Sequence, residues 1–194
     1  VTTLLGGDAG LLLIDLMRIG ALSGMRIEEM CQLLASDCRG GVFNVRAGKT
    51  ENARRTVPIH SSLVKIVERR MAGKKDSEYL FHELPPVPKS RETRSDPAAK
   101  QFTRYRRTMK VDERPNDKAK SNVDFHSFRR WFIRKARDAK LAGAVGFDEW
   151  TITWVVGHTD SDRAKSLDLS QHGYAGQDPE KAKRALVEAV KLPC

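Results

Sequence analysis

Between Leu11 and Leu22 the chain is apolar around most of a helical circumference: Leu11, Leu12, Leu13, Ile14, Leu16, Met17, Ile19 and Leu22, with Asp15 and Arg18 as the polar exceptions. A helix apolar on most sides lies inside a domain, and Asp8 stands where a cap is expected. Ser23-Gly24 breaks the run. Ile27, Met30, Cys31 and Leu34 then follow at i, i+3, i+4 and i+7, predicting a second helix that starts at Arg26. The period changes next. Val42, Phe43 and Val45 predict one strand and residues 55–59 another, with residues 46–52 as the turn between them.

The helical period returns after Ser61, with Leu63, Ile66, Val67 and Met71 on one face, and Tyr79-Leu80-Phe81 forms a short packing segment. Residues 83–97 are rich in proline, serine and charge and are read as an exposed loop. A helix is predicted over 98–109, a polar loop over 111–123, and a helix from Ser127 to about Lys140 with Asp124 or Ser127 as its cap. Gly143 and Gly146 end it. Asp148 caps a helix carrying Trp150, Ile152, Trp154, Val155 and Val156, which Gly157 stops; residues 160–169 are read as one more helix. Asp178-Pro179 opens a last helix, with proline in the first helical position. Its stripe of Ala182, Ala185, Leu186, Ala189 and Val190 can dock on its own domain or on a neighbouring subunit. The expected class is mainly α with a small antiparallel β-sheet (α+β). No repeat or clear linker divides residues 1–194, so they are read as one domain.

Charge narrows the partners. The chain has 194 residues, with 35 Lys+Arg against 25 Asp+Glu and a net charge of +10. That excess favours a polyanion, nucleic acid first and an acidic membrane second. No apolar run reaches the roughly 20 residues needed to span a bilayer. Cys31, Cys38 and Cys194 form neither a metal-ligand pattern nor a disulfide framework, which fits a reducing, cytoplasmic setting. Gly48-Lys49-Thr50 suggests a nucleotide-binding loop, but that motif requires a second glycine where Phe43 stands.

Candidate chemistry gathers at two helix starts. His126 and Arg129 open one helix and Arg26 opens another, and an imidazole with guanidiniums at the positive end of a helix invites a phosphate. Lys49, His158 and Tyr174 complete the set. Taken singly, Arg26 reads equally as a surface arginine, Lys49 as a hairpin lysine and His158 as a helix C-cap. Arg46, Arg54 and Arg55 lie near Lys49, and Lys100, Arg104, Arg106, Arg107 and Lys110 form a basic face on the 98–109 helix. Of these, Arg46, Arg54, Arg55, Lys100, Arg104 and Arg107, together with Arg130, are the expected DNA-binding residues.

In this order the residues carry a resemblance. Ala21-Leu22-Ser23-Gly24-Met25-Arg26 with Glu28-Glu29, Lys49 in a turn, His126-x-x-Arg129, Gly157-His158 and a late Tyr174 resemble the tyrosine recombinases, the phage-integrase family. The resemblance implies the family's DNA breaking-rejoining fold and a site-specific recombinase or integrase of phage or mobile-element origin. Arg26 and Arg129 would clamp a phosphodiester, with His126 and His158 as further donors. Tyr174 would attack to give a covalent 3′-phosphotyrosine, and Lys49 would protonate the leaving 5′ oxygen. Neither metal nor cofactor is implied. The implied partners are double-stranded DNA sites and copies of the chain itself, a tetramer on DNA from free monomers, with accessory DNA-bending proteins as further candidates. The family's N-terminal core-binding and arm-binding domains have no counterpart here, so the chain is expected to be a catalytic domain and, starting at Val1, a fragment. The interval from His158 to Tyr174 is longer than in many members. Two other readings stay open: a type IB topoisomerase-like enzyme that relaxes supercoils, and a DNA-binding regulator without catalysis.

Overall fold

The computed structural model describes residues 1–46, 54–86, 93–114, 116, 119–157 and 178–193. At its centre is α2 (Gly10–Ser23), where Leu13, Leu16, Met17, Ile19 and Ala21 are fully buried. It is the long apolar helix expected from the sequence. Its start differs from expectation: the N-cap is Ala9, and the Asp8 carboxylate reaches only the Gly10 N–H at 3.4 Å. A short helix not foreseen, α1 (Thr2–Leu5), precedes it and buries Leu4.

Asp15 is the charge on the buried face of α2, and it is compensated in place. Arg70 Nε donates to it at 2.6 Å and Arg69 Nη2 at 2.8 Å, both from α4 (Val64–Met71). A buried carboxylate needs such partners, because left alone it is expelled or protonated.

Gly24 closes α2 in the left-handed conformation (φ 65°). A Cβ there would stand 2.6 Å from the Phe132 ring, so glycine serves both the turn and the packing. Helix α3 (Ile27–Cys31) follows and stops earlier than its apolar spacing suggests. Leu34 has left the helix to pair with Tyr79 across an antiparallel bridge, and the Leu80 N–H donates to Leu33 O at 2.8 Å. A 3-10 turn (Ala35–Cys38) leads into the sheet.

The sheet is the expected pair of strands, β1 (Val42–Val45) and β2 (Arg55–Pro58), antiparallel with Phe43 opposite Val57 and Val45 opposite Arg55. Side chains alternate along a strand. Phe43, Val45 and Val57 therefore face the core, and so does Arg55, two residues before Val57.

Helix α5 (Asp96–Thr108) starts earlier than predicted, with Pro97 in its first turn. The segment before it is not wholly the exposed loop expected. Arg94 is 1% exposed and donates to the carbonyls of Cys31, Pro85 and Phe81 while stacking on Tyr79. Helix α6 (His126–Leu141) packs against α2 through Phe128 and Phe132. Phe102, Phe125 and Phe128 meet edge-on or tilted, with centroids 5.2–5.8 Å apart, a preferred aromatic geometry. Neither Asp124 nor Ser127 is the N-cap of α6; that position is Phe125, and Asp124 and Ser127 hydrogen-bond to each other.

Asp148 does cap α7 (Glu149–Val156), accepting from the Thr151 N–H, and Gly157 ends it in the left-handed region. The helix predicted over 160–169 lies outside the described residues. Helix α8 (Pro179–Ala189) begins with the Asp178 cap and Pro179 as expected. It docks on its own chain, burying Ala182, Leu186 and Val187 in the core beside α7, β2 and α6.

Candidate active site

Three arginines from distant parts of the chain converge on the end of α7. A helix ends in carbonyls without intrahelical partners and carries partial negative charge there. Here those carbonyls are taken in succession. Arg55 Nε donates to Val155 O at 2.7 Å, Arg129 Nη1 to Val156 O, and Arg26 Nη2 to Gly157 O at 3.3 Å. Arg129 Nη1 also donates to Gly24 O at 2.9 Å, tying the end of α2 to the same point.

One carboxylate lies among these cations. Glu29, buried on α3, accepts from the Arg26 N–H at 2.8 Å and from Arg26 Nη1 at 3.0 Å. On its other side Arg55 grips it with two donors, Nη1 at 3.0 Å and Nη2 at 2.8 Å. Burial pushes the Glu29 carboxyl up, but the hydrogen bonds and charges of Arg55 and Arg26 outweigh it and hold the pKa below the usual value. Glu29 is therefore ionised at neutral pH, one negative charge against three positive ones.

Arg26 and Arg129 are differently exposed. The Arg26 side chain is 42% exposed and forms a rim, whereas Arg129 is 1% exposed and forms a floor. Among the described residues Arg129 Nε and Nη2 have no hydrogen-bond partner. Burial, and then the neighbouring Arg26, press the Arg129 pKa down to about 9. A buried unpaired donor costs about 1–3 kcal/mol, more when charged, and an acceptor or anion placed against it would relieve that cost. His126 stands one helical turn before Arg129. Its pKa is lowered by desolvation first and by the Arg129 charge second, which leaves the imidazole neutral and able to accept a proton at neutral pH.

The structure thus brings Arg26, His126 and Arg129 together. Lys49, His158 and Tyr174 lie outside the described residues. Of the expected DNA-contacting set, Lys100, Arg104 and Arg107 are exposed along α5 and Arg54 is exposed just before β2. Arg46 is exposed but engages Asp37 and Ser36. Arg130 is exposed and held by Asn122 O, Asp124 and Ser127. Arg55 needs correction: its side chain is 6% exposed and committed to Glu29 and Val155, so it lies beneath the site and does not offer itself to solvent. Arg106, read as part of the basic face of α5, is also turned inward, towards Asp112. Sequence reasoning gave Glu29 no role of its own and misplaced Arg55. The signal for Arg55 was its strand parity with Val57; the signal for Glu29 was its place three residues after Arg26.

Among the described residues no group of three or more His, Cys, Asp or Glu is placed to hold a metal ion, and no helix is long and apolar enough to cross a membrane. The fold is similar to a solved structure described as the crystal structure of XerA recombinase, with 20% identity and a TM-score of 0.56. That likeness covers 87% of this chain and 57% of the other, so the chain spans little more than half of that recombinase's length. No curated protein matches the chain. The model of the phage integrase family matches residues 11–161, which takes in Arg26, Lys49, His126, Arg129 and His158 and stops before Tyr174. By that match, over most of its length, the chain belongs to the phage integrase family.

Proposed function

We propose that the chain is the catalytic part of a tyrosine site-specific recombinase, cutting and rejoining DNA of a phage or mobile element through a covalent 3′-phosphotyrosine. The observation that carries this reading is the buried Arg129 guanidinium with Nε and Nη2 unpartnered among the described residues, beside Arg26 and His126. A phosphodiester resists attack because its non-bridging oxygens repel the nucleophile. Guanidiniums from a floor and a rim neutralise those oxygens, and more strongly as charge grows towards the pentavalent transition state. His126, held neutral, accepts the phenol proton of Tyr174 or relays it. Tyr174 attacks phosphorus, the 5′ oxygen leaves with a proton from Lys49, and His158 donates to a phosphate oxygen. The phosphotyrosine conserves the bond for a second strand's 5′-hydroxyl, with copies of the chain acting on paired sites.

The test is a nicked DNA duplex carrying the candidate core site, which traps the cleaved state. Wild type should form a protein–DNA adduct resistant to denaturing gels, and Tyr174→Phe should form none while still binding DNA. Adducts from the Phe variant would displace Tyr174 as nucleophile. DNA binding with no adduct from wild type would point to the regulator instead, and site-independent relaxation of plasmid DNA to the topoisomerase.

A further inference from the structure

We infer that Arg55 is a positioning residue of this site, acting on the phosphate through Glu29 and the end of α7. The inference rests on the recombinase reading for its kinetic arm. Arg55 touches both supports on which the anion-facing arginines hang. Its fork binds Glu29, the carboxylate that orients Arg26 through the backbone N–H and through Nη1. Its Nε holds Val155 O, next to the carbonyls that receive Arg129 and Arg26. A planar guanidinium satisfies both at once; an ammonium cannot, because it lacks the fixed fork.

Two further observations set its role apart from ordinary packing. A Cβ added at Gly157 would fall 2.7–3.0 Å from the Arg55 guanidinium, so Arg55 fills the space beside the residue that leads into His158. Arg55 also contributes to the electrostatic load on Arg129. Without Arg55, Glu29 is held from the Arg26 side alone, and Val155 O is deprived of the Arg55 donor. Both anion-facing arginines are then displaced by removal of a residue that never meets the phosphate.

The experiment compares Arg55→Lys and Arg55→Met with wild type in three measurements: single-turnover cleavage of the nicked duplex, DNA affinity, and the arginine Nε–H signals of ¹⁵N-labelled protein, with thermal melts as a check of folding. Cleavage should fall about 100-fold in either variant, the loss expected from a misplacement of about 1 Å, while DNA affinity changes little. The Arg26 and Arg129 Nε–H signals should shift or broaden in both. The combined loss in Arg55→Met with Glu29→Gln should be smaller than the product of the two single losses, because the residues share one network; a loss equal to that product would overturn the inference. A folded variant with wild-type cleavage and unmoved signals overturns the inference, and so does loss of the fold in both variants, which would make Arg55 a plain structural strut. Should wild type form no adduct, the recombinase reading falls by itself, and the arginine signals still decide whether Arg55 positions its neighbours.

Discussion

At the scale of single residues the site is decided by which polar atoms are left unsatisfied. Arg129 is buried with two donor atoms unpartnered among the described residues, and the nearby Arg26 charge adds to its burden. A bound anion relieves both. Sulfate should therefore raise the melting temperature of the protein, since a ligand that binds only the folded state stabilises it. Arg129→Gln should abolish that rise; an equal rise in the variant would place the anion elsewhere. In cleavage, Arg129→Lys should lose about 10²–10³-fold in rate, as removal of one transition-state donor does, while DNA affinity changes little. The sequence placed Arg26 and His126 at helix starts, through the Ser23-Gly24 break and the apolar period that begins at Phe128, and α3 and α6 do begin at Ile27 and His126. It did not reveal that five arginines among the described residues face inward: Arg55, Arg70, Arg94, Arg106 and Arg129 are all buried. Charge is ordinarily a mark of the surface; the strand parity of Arg55 with Val57 argues otherwise for that residue, and the others are explained by the carbonyls and carboxylates they meet inside.

At the scale of elements, the ends matter more than the middles. Periodicity located α2, α6, α7 and α8 and both strands, because burial of an apolar face fixes each of them. It overextended α3, where pairing between Leu34 and Tyr79 competes with the helix, and it misplaced two caps. The α7 terminus makes a strong prediction. Gly157 has φ 65°, and a side chain there would meet Arg55. Gly157→Ala should destabilise the fold by about 1–2 kcal/mol from backbone strain and slow cleavage as well, both read against wild type by chemical denaturation and adduct formation. The junction between α8 and the start of α4 titrates. His60 is buried; its Nδ1 accepts from the Ser62 N–H, so its Nε2–H donates to Val190 O at 3.0 Å. Glu188 faces it at 3.7 Å, itself bound to Ser61, and Lys191 bears on it as well. Burial lowers the His60 pKa from 6.5. The unfolded chain then binds the proton more readily than the folded one, so stability is full above about 6.5 and declines as pH falls towards the folded value. His60→Gln should flatten that decline in denaturation midpoints measured across pH; an unchanged slope would assign it to the carboxylates.

For the whole molecule, the positive excess is divided between two tasks. Some arginines form the internal frame, while Lys100, Arg104 and Arg107 lie exposed along one helix. Replacing those three with alanine should weaken DNA binding across sequences alike and reduce the log–log salt slope by about one for each phosphate no longer neutralised. A slope that stays put would exclude α5 from the interface. The larger consequence concerns the order in which the chain is made. Arg26 and Arg129 are held by the carbonyls that end α7, and their bonds reach from Arg26 to Gly157 and from Arg129 back to Gly24. During synthesis Arg26 and Arg55 emerge long before those carbonyls exist. Until residue 157 has been added and α7 has docked, Glu29 and Gly24 O are in place but the three carbonyls that complete the arrangement are missing. On the proposed function, a chain that ends before residue 157 lacks the carbonyls that hold Arg26, Arg55 and Arg129 and should not cleave DNA. For a protein proposed to cut DNA, late completion of the α7 end would act as a safety catch.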